Sequence, residues 1–419
     1  MNRTKLCAAL VGGMVLSGGA LASADEFHYN NILIGDRAAG MGGAYTAVSD
    51  DPSGMYYNPA GLAYASGRSI SASVNAYTVS NRTYKGVIGG NDWKRSSSSL
   101  LPNFFGIVQP VGKFKVGFSY AVPDSAQEDQ DQSFSYSRTW PSGVRDTTHV
   151  INFNNNNDIN LFGPSAALLI KDNLSVGATL YIHKRSTERI LNQSYKSTDN
   201  SLYEWINNYR EVDEWGLRPV VGVMWAPADK FSLGLSVSKT YVLISDVLSQ
   251  DTSITNDPPA TTLTRTNSGM LKTEHKRDYP YQVAFGAAYF PTPSLLVSAD
   301  ISFNSSYNYT FPDKKIEREA VVNGALGAEY YINPNWAVRG GFFTDFANTK
   351  DVVAGGTNQD EHIDLFGGSL SISHFTKNTS LTFGGNYKYG SGKAQITANS
   401  IQDASLSSWS MFVSSSYSY

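Results

Sequence analysis

Apolar and polar residues alternate one by one in stretches of about ten, and such stretches recur to the end of the chain. Leu295, Val297, Ala299, Ile301 and Phe303 are interleaved with Leu296, Ser298, Asp300 and Ser302. Leu381, Phe383, Gly385, Tyr387 and Tyr389 are interleaved with Thr382, Gly384, Asn386 and Lys388. The same pattern runs from Phe114 to Val122 and from Leu174 to His183. A period of two gives each strand one apolar and one polar face. A soluble half-buried sheet does this a few times. Repetition throughout fits an all-β transmembrane antiparallel β-barrel, with lipid outside and a watery lumen inside.

The punctuation between strands is asymmetric. Short turns recur at Pro110–Lys113, Lys171–Asn173, Pro227–Lys230, Pro291–Pro293, Asn333–Asn335 and Lys377–Thr379. Long polar stretches lie between them, at Asp124–Asn157, Ser186–Arg210 and Ser245–Lys276. Outer-membrane barrels have short periplasmic turns and long outer loops, so six inner turns plus the chain end predict about 14 strands. The last strand, with Trp409, Met411, Val413, Tyr417 and Tyr419 in one parity, is the kind of signal that barrel assembly machinery reads.

Export is expected from the other end of the chain. Arg3 and Lys5 precede an apolar run, Leu6–Leu21, that closes on Ala22-Ser23-Ala24, the layout of a signal peptide spanning 1–24. The run is short for a membrane helix and is interrupted by four glycines. The one cysteine, Cys7, would leave with it, so disulfides, thiolate metal sites and a cysteine nucleophile are excluded from the mature chain. The net charge of −3 becomes more negative once Arg3 and Lys5 are removed, which gives no footing for nucleic acid as a partner. Scattered histidines, no His-Glu-x-x-His and no Gly-x-Ser-x-Gly elbow give no metal site and no sign of an enzyme.

Residues 25–66 do not alternate. Gly35–Ala63, GDRAAGMGGAYTAVSDDPSGMYYNPAGLA, is rich in glycine, alanine and turn residues, and Tyr45 stands where a Gly-x-Gly-x-x-Gly nucleotide loop needs its third glycine. Arg37-Ala38-Ala39-Gly40-Met41-Gly42-Gly43-Ala44, Ala47-Val48-Ser49-Asp50-Asp51 and Tyr57-Asn58-Pro59-Ala60-Gly61-Leu62 resemble the FadL/TodX family of outer-membrane transporters of long-chain fatty acids and aromatic hydrocarbons. The resemblance implies that 25–66 is an N-terminal plug, or hatch, in the lumen of a barrel formed by 67–419, with Asn58, Pro59 and Ala60 as its motif. A fourteen-stranded barrel would otherwise enclose a channel.

On the resemblance, the chain is a passive outer-membrane channel for a hydrophobic molecule such as a fatty acid or hydrocarbon, needing no cofactor; it is expected to be a monomer. It would sit among outer-membrane lipid and lipopolysaccharide. The alternative is the same barrel used as a scaffold or carrier for secreted proteins. Strand parity points Arg339, Arg218, Lys388, His183, Asp300 and Glu329 into the lumen, to anchor the plug or, for the cations, to meet a carboxylate headgroup. Asp124, Glu128, Asp129 and Asp131 read as a solvated outer loop. In the family the ligand leaves sideways at a kink in the third strand, here Lys113–Val122, with Gly117 and Pro123 as the expected weak points.

Overall fold

The computed structural model describes residues 26–65, 67–257, 264–274, 276–311, 314–397 and 400–419; the expected signal peptide lies outside them. After the N-terminal segment come β1 (Ser69–Ile88), β2 (Asn91–Val111), β3 (Phe114–Trp140), β4 (Gly143–Lys171), β5 (Leu174–Ser197) and β6 (Tyr203–Ala228). Shorter pieces follow: β7 (Phe231–Ser238), β8 (Tyr241–Asn256), β9 (Thr264–Glu274), β10 (Gln282–Thr292), β11 (Leu295–Asn304), β12 (Tyr307–Phe311) and β13 (Lys314–Arg318). The chain ends in β14 (Val321–Asn333), β15 (Trp336–Asp345), β16 (His362–Phe375), β17 (Thr379–Thr397) and β18 (Ser400–Ser418).

Fourteen of these strands form a closed antiparallel wall in the order β1 to β7, β10, β11, β14 to β18, with β18 pairing back onto β1. Closure leaves no strand edge in the membrane, where an unpaired backbone group has no water to bond. The six expected short turns are the connections between β2–β3, β4–β5, β6–β7, β10–β11, β14–β15 and β16–β17. Lipid-facing positions carry Phe118, Leu180, Phe285, Ile301, Leu326, Leu370 and Phe383, all exposed, while their neighbours in sequence point inward.

Where they are described, the stretches expected as long outer loops are mostly strand instead. β3 and β4 stay paired from Trp140–Gly143 down to Phe114–Leu168, and β4–β5 and β5–β6 are similarly continuous. At roughly 3.3 Å per residue, strands this long project far beyond the 9–11 residues that cross a bilayer. What holds them is a second apolar core above the membrane: Tyr84, Trp93, Ile151, Phe153, Leu191, Ile363, Leu365, Ile396 and Leu406 are buried together. The β1–β2 tip leans into it, with Tyr84 stacked on Trp93 at 5.5 Å and Gly89 against Tyr136, where any Cβ would fall 2.3 Å from the tyrosine side chain.

Candidate functional site

Residues 26–65 lie against the inner face of the wall. They form α1 (Asp36–Gly40), α2 (Gly54–Tyr57) and a 3-10 turn (Pro59–Tyr64), and most of their side chains are buried. So little regular structure leaves many backbone groups to satisfy, and the wall supplies partners. Ser175, Thr179, Ser232 and Ser369 each donate a hydroxyl to a plug carbonyl, those of Ala60, Met55, Ala47 and Gly40, at 2.7–3.0 Å.

Close approach depends on glycine in the wall as well as in the plug. Three cross-strand pairs face inward: Gly177–Gly222, Gly234–Gly286 and Gly327–Gly341. A Cβ on Gly222 would stand 1.9 Å from Asn58 Oδ1, and one on Gly177 2.4 Å from the Pro59 carbonyl. Gly234 abuts the Thr46 carbonyl, and Gly327 and Gly341 abut Met41. Each pair is a flat seat for plug backbone.

Asn58 is the knot of the expected motif. Fully buried, it donates through Nδ2 to the Thr46 carbonyl (2.8 Å) and the wall's Val223 carbonyl (3.1 Å), while its Oδ1 accepts from Ala60 N (3.2 Å) and so caps the 3-10 turn. Pro59 opens that turn, where its missing N–H costs nothing.

The inward charges expected from parity are buried or half-buried, and they divide by partner. Arg339 donates to Glu329 (2.7 Å) and Ser373 (2.5 Å), and Glu329 also takes the plug's Arg37 at 2.6 Å, which in turn holds Asp50. Asp300 Oδ2 accepts from the plug's Tyr45 N (2.9 Å) and Thr46 N (2.8 Å). Lys388 bonds Asp345 (3.1 Å) and the Asn30 carbonyl (3.3 Å). His183 Nε2 meets Glu214 at 3.0 Å, and Tyr279 donates to the same carboxylate at 2.6 Å. Arg218 differs: it donates to Gln282 (2.6 Å), lies over the Tyr56 ring at 5.3 Å, and has no carboxylate within ion-pair reach among the described residues.

A strap the sequence reading missed crosses the lumen ahead of the motif. Glu26 is gripped by Arg185 (2.5 Å) and Arg277 (2.8 Å), with Arg318 at 4.0 Å. Burial pushes its carboxyl up, and these guanidinium groups more than reverse that, holding it far below the usual carboxylate range. Tyr29 N and Asn30 N then donate to Asp345 at 3.0–3.1 Å, and Ile32 N to the Pro123 carbonyl at 3.1 Å. EFHYNNIL carries no period and no motif, and its partners lie far along the chain, so no local signal marked it.

Among the described residues, chambers lie along the strap, and three of them differ in their lining. The largest, about 120 Å³, lies between plug and wall and includes Arg218 and Asp300. A second, about 100 Å³, shares Tyr29, Tyr56, Arg218 and Gln282 with it and extends to His183 and Pro123. The third, about 70 Å³, holds Lys388, Arg82, Arg95 and the hydroxyls of Ser97, Ser99 and Ser125. Arg339 and Glu329 line none of the three.

The wall parts between β2 and β3. β2 pairs with β3 only from Val111–Phe114 up to Phe104–Ala121; above that both strands continue, but their mutual ladder stops. On its other side β3 has a bulge between Ala121 and Asp124 and then resumes pairing with β4. Proline lacks the N–H a ladder needs, and the bulge at Val122-Pro123 reverses parity, so Val122 is buried rather than lipid-facing as its alternation suggested. Gly117 is not a break. It sits in register opposite Val108 and Ser165, and its missing side chain admits the plug's Met55, whose Sδ would be 2.7 Å from a Cβ there. Above the parting only side chains bridge, as where Ser97 Oγ accepts from Gln127 N at 3.1 Å and Gln130 reaches the Ser96 carbonyl at 2.9 Å.

The fourteen-stranded barrel finds matches among known proteins. A family model for the outer membrane protein transport proteins OMPP1/FadL/TodX covers residues 15–354. The chain belongs to this family. The FadL/TodX proteins are outer-membrane transport channels, and this barrel, which has no apolar helix long enough to span a membrane among its described residues, crosses with strands. A Pseudomonas aeruginosa FadL homologue superposes with a TM-score of 0.63 at 14% identity, over 93% of this chain and 99% of that one. The Ralstonia pickettii toluene transporter TbuX gives 0.61 at 17%, and the P. putida toluene transporter TodX 0.59 at 13%, each over 93% of this chain and 99% of the other. At such identities the likeness to these FadL/TodX structures shows the fold alone. No curated protein matches the chain.

Proposed function

We propose that this FadL/TodX protein is a passive channel for hydrophobic molecules of single-ring size, gated by the strap and discharging sideways between β2 and β3. The observation that carries the reading is the parted wall at Pro123, whose carbonyl is held by Ile32 of the strap. Strap, second chamber and parting therefore meet at one residue. A ligand that displaces the strap from Pro123 frees the gap beside it, so entry and exit are coupled without any chemical step.

Chambers of about 100 and 120 Å³ compare with an apolar cavity of roughly 150 Å³ that takes up benzene. That favours a monoaromatic hydrocarbon, as named for the toluene transporters, over an extended acyl chain. Arg339 is taken up by the wall's Glu329, which also holds the plug's Arg37, and Lys388 by Asp345 and the strap, so in this reading they anchor rather than meet a headgroup. Reconstituted in liposomes, the protein should speed the entry of labelled toluene over protein-free vesicles and leave a pentose excluded. Toluene entry at the protein-free rate, or free passage of the pentose as through an open porin, would contradict the reading.

A further inference from the structure

We infer that the chamber between the plug and the β10–β11–β14 wall is a selectivity site for single-ring molecules that carry a hydroxyl group, such as a phenol. The inference rests on the channel reading and names the substrate class that the channel would favour.

The chamber is built from two kinds of surface. On the plug side stand the rings of Tyr29, Tyr56 and Tyr57. On the wall side stand Asp300, Asn304 and Asn323, which are 8%, 3% and 2% exposed. Each of the three has one buried polar atom with no protein partner: Asp300 Oδ1, Asn304 Oδ1 and Asn323 Nδ2. Asp300's other oxygen is used by the plug backbone. Asn323 Oδ1 accepts from Phe346 N (2.8 Å) and Thr344 Oγ1 (3.1 Å); only an oxygen can accept from that N–H, so the amide's orientation is set and Nδ2 is its open donor.

Register brings these atoms together. Asp300, Ser302 and Asn304 follow one another on the inner face of β11, and Asn323 of β14 stands directly opposite Ser302, between the other two. The patch thus offers two acceptors flanking one donor in a site walled by rings. Buried polar atoms without partners are costly, so a ligand that satisfies them is favoured over one that does not.

A hydroxyl both donates and accepts: its O–H meets Asp300 or Asn304 while its lone pair takes the Asn323 N–H. A bare hydrocarbon leaves all three unmet. A carboxylate accepts only and would confront the Asp300 carboxylate, while Arg218, which lines the same chamber, is taken up by Gln282 and the Tyr56 ring. Water also both donates and accepts, but it fills neither the ring-sized volume nor the contacts to the tyrosines.

The test is saturable binding of labelled phenol, toluene and benzoate to the purified full-length protein in detergent, together with Asn304→Leu, which keeps volume and removes the acceptor. Phenol should bind about ten-fold more tightly than toluene, a difference of about 1.4 kcal/mol, and benzoate least. Asn304→Leu should bring phenol to the toluene level and leave toluene unchanged. If that variant fails to shift in mobility on heating, as a folded barrel does, Asn304→Ala carries the same expectation. Equal or inverted affinity of the wild-type protein for phenol and toluene, no saturable phenol binding, or a phenol preference that survives the substitution would overturn the inference. Transport separates this outcome from failure of the channel itself: toluene that enters vesicles without phenol preference sinks only the hydroxyl selectivity, whereas vesicles that admit neither sink the channel reading.

Discussion

Glu26 is the residue on which the strap hangs. Its carboxyl is held far below its ordinary value of about 4.5, so the stability it contributes is complete above that value and decays only as pH falls below it. Leak current through bilayers should therefore be the same at pH 8 and pH 5, and Glu26→Gln should raise it at both. A wild-type leak that grows on going from pH 8 to pH 5 would mean that another group holds the strap. Arg339→Gln should weaken the plug through Glu329 and Arg37, at a cost of about 1–3 kcal/mol for the buried acceptor left short of a partner. It should raise leak and affect entry of a fatty acid and of toluene alike; selective loss of the acid would restore a headgroup role. Gly222→Ala puts a Cβ on Asn58 and should raise leak while the barrel still shows its heat-dependent gel shift. The inward direction of wall side chains such as Arg339 and Glu329 was legible from parity alone, because a strand's period is fixed by its backbone. Their partners were not: Asn58 with Val223, or Glu26 with Arg277, are joined by closure of the barrel and leave no local pattern.

Among the elements, β3 departs most from what its sequence suggests. Its lower part alternates as read, Pro123 falls where a ladder must falter, and the bulge lies there. Gly117 misled because a glycine in a strand marks either a break or a close approach, and only the plug's position decides between them. The outer halves of β3 to β6 misled for another reason. Asn, Gln and Ser hide the alternation on their outer face, while the apolar residues that order them, such as Phe153 and Leu191, find partners on β1, β2 and β16 to β18. Trp93 is central to that upper core, packed against Tyr84 and at 6.3 Å from Phe153. Trp93→Ala should cost about 3–5 kcal/mol, the usual loss for a buried aromatic, and it should release the β1–β2 tip. Faster protease cleavage near Gly89–Gly90 with the membrane-spanning part intact is the expected result; an unchanged digestion pattern would show that the tip is held by other contacts.

At the scale of the whole molecule, a closed wall, a plug seated on glycine pairs and a strap docked at the β2–β3 seam are the parts of the proposed channel with a side exit. Ser97 of β2 and Ala126 of β3 line the third chamber on opposite sides of that seam, close enough that Gln127 N reaches Ser97 Oγ. Cysteines at these two positions can be joined by a short reducible bis-maleimide and then freed, and the described barrel has no cysteine to compete. The decisive measurement is entry of labelled toluene into liposomes bearing this double variant before linking, after linking and after reduction. Transport should fall at least about ten-fold on linking, equivalent to 1.4 kcal/mol or more, and return on reduction. Transport that runs undiminished through a clamped seam would contradict the side exit.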